Sequence, residues 1–124
     1  SWQLLNMEIE IKVTPNVRVA TSVVSVNENS AVVKLQYDKV NKTQKLSHLG
    51  IAWSTSPNPN MLIFPGGKTI LENVTDLGLS DTGEKTFTIT GLQPNKTYYV
   101  RGASRTINPG NYYNYSPTFE IKTK

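Results

Sequence analysis

Alternation of apolar and polar residues at a period of two constrains this chain more than any other feature. Ala31, Val33, Leu35 and Tyr37 alternate with Val32, Lys34, Gln36 and Asp38, and Met7, Ile9, Ile11 and Val13 alternate with Glu8, Glu10 and Lys12. Successive side chains of a strand point to opposite faces, so such a pattern marks half-buried strands. The pattern returns around Val24 and Val26, at Leu49, Ile51 and Trp53, at Phe87 and Ile89, at Tyr98 and Val100, and at Phe119 and Ile121. No stretch sustains a 3.6-residue period. Seven or eight short strands with turn residues about every ten positions predict an all-β, antiparallel β-sandwich.

Between the strands, Ser56 to Asn60 reads S-P-N-P-N, a stiff turn in which two prolines break ladder bonding. Met61–Phe64 and Thr69–Leu71 flank Pro65-Gly66-Gly67 and read as a short edge hairpin, and Glu72 to Glu84 reads as a polar loop crossing between sheets. Residues 1–14 are either an extra N-terminal strand or a linker, and residues 15–124 form the sandwich.

At 124 residues the chain fits one domain. A hydrophobic fraction of 37% and a charged fraction of 18% leave much of the chain to Thr, Ser and Asn, which suits strands and polar turns rather than a helical bundle. The absence of cysteine leaves the core to hold the fold without disulfides. No stretch approaches the ~20 apolar residues of a membrane span. The net charge of +4 is dispersed, and its one loose group, Lys39, Lys42 and Lys45, reads as a solvated turn rather than a nucleic-acid surface.

The stretch Thr86–Ser104 reads T-F-T-I-T-G-L-Q-P-N-K-T-Y-Y-V-R-G-A-S. It resembles the E strand, E–F turn and F strand of fibronectin type III domains, whose G-L-x-P turn and following tyrosine correspond to Gly91, Leu92, Pro94 and Tyr98. The resemblance implies a structural corner of Leu92, Pro94 and Tyr98, in which the phenol folds back over the turn and bonds the main chain. L-G-I-A-W-S-T-S-P-N-P-N and Y-Y-V-R-G-A-S are, in addition, similar to fibronectin-type modules of Bacteroidetes surface proteins. That likeness implies an extracellular or cell-envelope setting, with lipid anchoring supplied by another segment of the parent chain. Two departures stand out. Trp53 and Gly102 replace residues usual in the family and are expected to compensate each other by facing contact, and the Arg-Gly-Asp tripeptide of some members is missing.

Catalytic signals are weak. The one histidine, His48, reads as a polar residue at a strand end, because no nucleophile elbow accompanies it. One histidine and no cysteine make a zinc site improbable. Glu72, Asp76, Asp81 and Glu84 lack calcium-loop spacing and read as a solvated loop. The Gly66-Gly67 pair lacks the helix a phosphate loop requires. Sequons at Asn41, Asn73, Asn95 and Asn114 read as accidents of composition. The chain is therefore expected to be no enzyme, with no cofactor and no metal.

The remaining candidate is the F–G loop. Asn111, Tyr112, Tyr113 and Tyr115 combine aromatic faces with an adaptable amide, a composition favoured in recognition loops. The expected role is a non-catalytic interaction or spacer module of a larger bacterial surface or secreted protein. Its partners would be a surface protein or glycan and neighbouring domains of the same chain, with no nucleic acid. The alternative is a carbohydrate-binding domain using this loop.

Overall fold

The structure is a computed structural model that describes residues 17–39, 45–59, 67–74, 81–106 and 112–124, with the backbone alone for residue 112. The alternating segment at residues 7–13, and with it the assignment of residues 1–14, lies outside the described residues. The described chain contains eight strands: β1 (Val17–Val26), β2 (Ala31–Lys39), β3 (Leu46–Ser54), β4 (Lys68–Asn73), β5 (Thr82–Ile89), β6 (Thr97–Thr106), β7 (Tyr112–Tyr115) and β8 (Phe119–Lys122). They form an antiparallel β-sandwich. One sheet has the order β1-β2-β5, and the other has the order β4-β3-β6-β7, with β8 also pairing β6.

Alternation sets which face is buried. Val33, Leu35 and Tyr37 of β2, Phe87 and Ile89 of β5, Leu49, Ile51 and Trp53 of β3, and Val100 of β6 join one core cluster. Burying such side chains stabilises by about 1.5–3 kcal/mol each, and the core is the main source of stability in a chain without disulfides.

In β1 Val17 and Val19 are buried in the core and Val26 packs against it, whereas the expected Val24 does not. The register with β2 shifts between Val23 and Ser25, and this bulge leaves Val24 60% exposed. An inserted residue resets the alternation, which explains the misreading.

The loop expected from Glu72 to Glu84 is shorter at both ends. Glu72 and Asn73 belong to β4, Val74 is buried, and Thr82, Gly83 and Glu84 pair with Asp38, Tyr37 and Gln36 of β2. Both ends are polar because these are edge strands, and ion pairs accompany them. Lys85 of one sheet meets Glu72 of the other at 2.7 Å, and Lys34 meets Glu84 at 3.7 Å. Gly83 is required where it stands, since a Cβ there would lie 2.7 Å from the Tyr37 hydroxyl.

β7 and β8 act as one interrupted edge strand. β7 pairs with the second half of β6 and β8 with the first half. At the break, the Ser116 N–H donates to the Gly102 carbonyl at 2.9 Å, and the Gly102 N–H donates to Ser116 Oγ at 2.8 Å. Ser116 Oγ is also 2.7 Å from Thr21 Oγ1 of the opposite sheet, and Ser104 Oγ donates to the Val17 carbonyl at 3.2 Å. Buried hydroxyls thus join β1 to the second sheet where aliphatic packing gives way.

The expected Trp53–Gly102 compensation does not hold. Both residues lie in the same sheet, where Trp53 pairs with Val100 and Gly102 with Ile51. What Gly102 accommodates is the opposite sheet: a Cβ added there would collide with Thr21 Cγ2 and lie 3.1 Å from Leu35 Cδ1.

At the β5–β6 turn, Gly91 adopts φ of 74°, a left-handed conformation that glycine takes without steric cost. Leu92 is buried, and the Gln93 N–H donates to the Tyr98 hydroxyl at 2.8 Å. The C-terminal residues fasten to the same turn, with Thr123 Oγ1 accepting from the Lys96 N–H at 2.8 Å.

Candidate functional site: the outer face of the five-stranded sheet

Inward residues of β3 and β6 build the core, so their alternates face outward. On β3 these are His48, Gly50 and Ala52, and on β6 they are Tyr99, Arg101, Ala103 and Arg105. Register places Tyr115 beside Ala103 and Tyr113 beside Arg105. Both tyrosines therefore stand on the outer face, half-buried against a floor of Ala52 and Ala103, which are 1% and 0% exposed.

The Tyr113 and Tyr115 rings lie 6.1 Å apart between centroids at an interplanar angle of 29°. The Arg101 guanidinium sits 4.3 Å from the Tyr115 centroid, and its Nε donates to the Ser116 carbonyl at 2.8 Å. Arg105 stands 6.0 Å from the Tyr113 centroid. Each such cation–π contact contributes about 0.5–1 kcal/mol at an exposed position. The result is a row of tyrosine and arginine side chains already ordered by their own contacts.

The residues predicted for recognition divide accordingly. Tyr112, Tyr113 and Tyr115 lie on a strand, not in a loop. Asn111 lies outside the described residues, as does the side chain of Tyr112. Asn114 shares the inward side with Ser104, and its Nδ2 is buried with no hydrogen-bond partner. Arg101, Arg105, Ala52 and Ala103 were missed. A signal existed in R-G-A-S-R, whose alternate positions carry the two arginines and the alanine between them.

His48 lies within β3, not at its end, and is half-buried on the same outer face. Ser47 Oγ donates to the Arg105 carbonyl at 3.0 Å, and His48 Nδ1 lies 2.9 Å from Ser47 Oγ. With the hydroxyl proton directed to Arg105, the ring is left to donate from Nδ1. Burial, then the Arg105 charge, lowers the His48 pKa from its ordinary 6.5. A lowered folded value means that the unfolded chain takes up the proton more readily. The contribution is therefore complete above about 6.5 and is lost as pH falls through that value toward the folded pKa. An NMR titration should give a His48 midpoint below 6.5 that rises in Arg105→Ala; a midpoint at or above 6.5 contradicts this environment.

Among the described residues, no group of three or more His, Asp or Glu side chains is placed to hold a metal ion. Asp76 lies outside them. No helix among them is long and apolar enough to cross a membrane.

No family model and no curated protein sequence matches the chain. Solved structures do. A DUF3823 family protein from Bacteroides uniformis superposes with a TM-score of 0.69 at 15% identity, over 91% of this chain and 58% of that one. A DUF3823 family protein from Bacteroides ovatus gives 0.67 at 19% identity, over 90% and 58%. The sensor domain of an anti-sigma factor from Pseudobacteroides cellulosolvens gives 0.61 at 18% identity, over 90% and 97%. The likeness is one of fold, and the chain spans a little over half the length of the two Bacteroides proteins.

Proposed function

We propose that this chain is a non-catalytic, fibronectin type III-like interaction module of a larger bacterial surface or secreted protein, and that the Tyr113–Tyr115–Arg101–Arg105 face is its contact surface. The observation that carries the reading is the Arg101 guanidinium seated 4.3 Å over Tyr115 with its Nε bonded to the Ser116 carbonyl. Binding usually loses energy to the ordering of long side chains; here that ordering is already done. Tyrosine and arginine are also the residue types enriched at binding hot spots.

The fibronectin type III assignment is supported by the turn at Gly91 and Leu92 and by the Tyr98 hydroxyl receiving the Gln93 N–H. The extracellular or envelope setting is supported by the kind of proteins that share the fold, two from Bacteroides and one a sensor domain. Partners are a protein or glycan at the cell surface, or a neighbouring domain of the same chain. Anchoring through lipid, where it occurs, belongs to another part of the parent protein.

A carbohydrate-binding domain is the second reading. It is favoured by the near-parallel pair of tyrosine rings, of which Tyr113 has its arginine at the greater distance, 6.0 Å. A sugar ring stacks on such a surface through its C–H face. The test screens glycans and neighbouring domains for binding to the native chain and to Arg101→Ala/Tyr115→Ala. Loss of a hot-spot pair should weaken binding about thirtyfold, while stability changes by only about 1 kcal/mol. Equal binding by both proteins refutes the assignment.

A further inference from the structure

At the end of β3 remote from His48, the β5–β6 turn and the tail of β3 enclose a cleft of about 180 Å³. Trp53, Leu92 and Tyr98 form its base, none more than 7% exposed. Lys68, Gln93 and Lys96 stand exposed around it. Among the described residues, no carboxylate lines it.

The hydrogen bonds within the wall leave it rich in donors. The Tyr98 hydroxyl accepts the Gln93 N–H at 2.8 Å, which occupies a lone pair and not the phenolic proton. Lys96 Nζ donates to Gln93 Oε1 at 3.0 Å, which ties down the amide oxygen and leaves the Gln93 NH₂ group for a ligand. Two ammonium groups add charge without any acceptor. Such a wall calls for a ligand rich in acceptors and negatively charged. The base is apolar and aromatic, and a bare inorganic anion would leave it in contact with water alone. Pockets for drug-sized ligands run to about 300–1,000 Å³, so this cleft suits one ring.

We infer that the cleft binds a single carboxylate-bearing sugar residue of the uronic acid type. The carboxylate engages Lys68 and Lys96, the hydroxyls accept from Tyr98 and Gln93, and the C–H face of the ring covers Leu92 and the edge of Trp53. The site lies at the opposite end of β3 from the paired tyrosines and does not depend on their role.

The test is an NMR and calorimetric titration of the whole chain with glucuronate and galacturonate, using glucose, galactose and acetate as comparators. At about 10 mM, a uronate should shift the Gln93 and Lys96 amides and the Trp53 indole N–H. Its affinity should fall with added salt. Lys68→Ser/Lys96→Ser, two changes at exposed positions, should weaken binding about tenfold or more. Acetate and the neutral sugars should bind at least about tenfold more weakly. Acetate as tight as uronate would reduce the site to a pair of cations, and neutral sugars as tight would remove the role of the lysines. Silence of all three reporter groups at that concentration would overturn the inference outright.

Discussion

Gly102→Ala is expected to destabilise the domain by about 3 kcal/mol, the upper end of the usual cost of overpacking a core. The added methyl group points into the opposite sheet, onto Thr21 Cγ2 of β1 and within 3.1 Å of Leu35 Cδ1 of β2. Backing away would strain the two bonds between Gly102 and Ser116, at 2.9 and 2.8 Å, that carry the chain across the break between β7 and β8. The rescue is specific. Thr21→Ser removes the colliding methyl but keeps the hydroxyl 2.7 Å from Ser116 Oγ. Thr21→Ser/Gly102→Ala should therefore recover most of the loss in urea denaturation, with an unchanged slope. Independent, additive effects of the two substitutions would show that the sheets do not meet there.

Trp53→Ala should have the largest effect of any single change considered, about 3–5 kcal/mol. The indole is 7% exposed and belongs to the principal core cluster, near the end of β3, an interior strand of the five-stranded sheet. Neighbours on adjacent strands are held by ladder hydrogen bonds and cannot collapse into the space it vacates. Equilibrium denaturation measures the loss directly. A cost below about 1 kcal/mol would be that of a surface residue and would place the ring outside the core.

How far the fold was legible follows from where water lies. β2 and β8 face core on one side and solvent on the other, so their sequences alternate and their inward residues could be named. β3 alternates less clearly because both faces are covered. Gly50 and Ala52, which interrupt its apolar pattern, are both buried, and Ala52 forms with Ala103 of β6 the floor beneath the tyrosines. β7 carries Y-Y-N-Y, which has no period at all and read as a loop, since aromatic rings occupy its outer side and Asn114 its inner one. In β1 a single bulged residue was enough to reverse the pattern. The polar start of β5 lies on an edge strand, where solvent removes the apolar half of the code.

The candidate surface was half legible for a related reason. Tyr113 and Tyr115 stood out by composition. Arg101 and Arg105 did not, because only antiparallel pairing of β6 with β7 brings each guanidinium to a ring. Composition names residue types, whereas a composite surface depends on register, which was not assigned from the sequence. The Gly102 misassignment has the same origin. Gly102 stands out in the sequence of β6, but the close approach that requires it comes from Thr21, 81 positions earlier in the chain, and not from Trp53.

The most direct test of the contact-surface assignment is an amide and side-chain chemical-shift map of the labelled chain with a ligand found by the binding screen. Perturbations should concentrate on Ala52, Arg101, Ala103, Arg105, Tyr113 and Tyr115, leaving β1, β2 and β5 unmoved. A map centred on the β1-β2-β5 sheet, with the tyrosine rings silent, would contradict it.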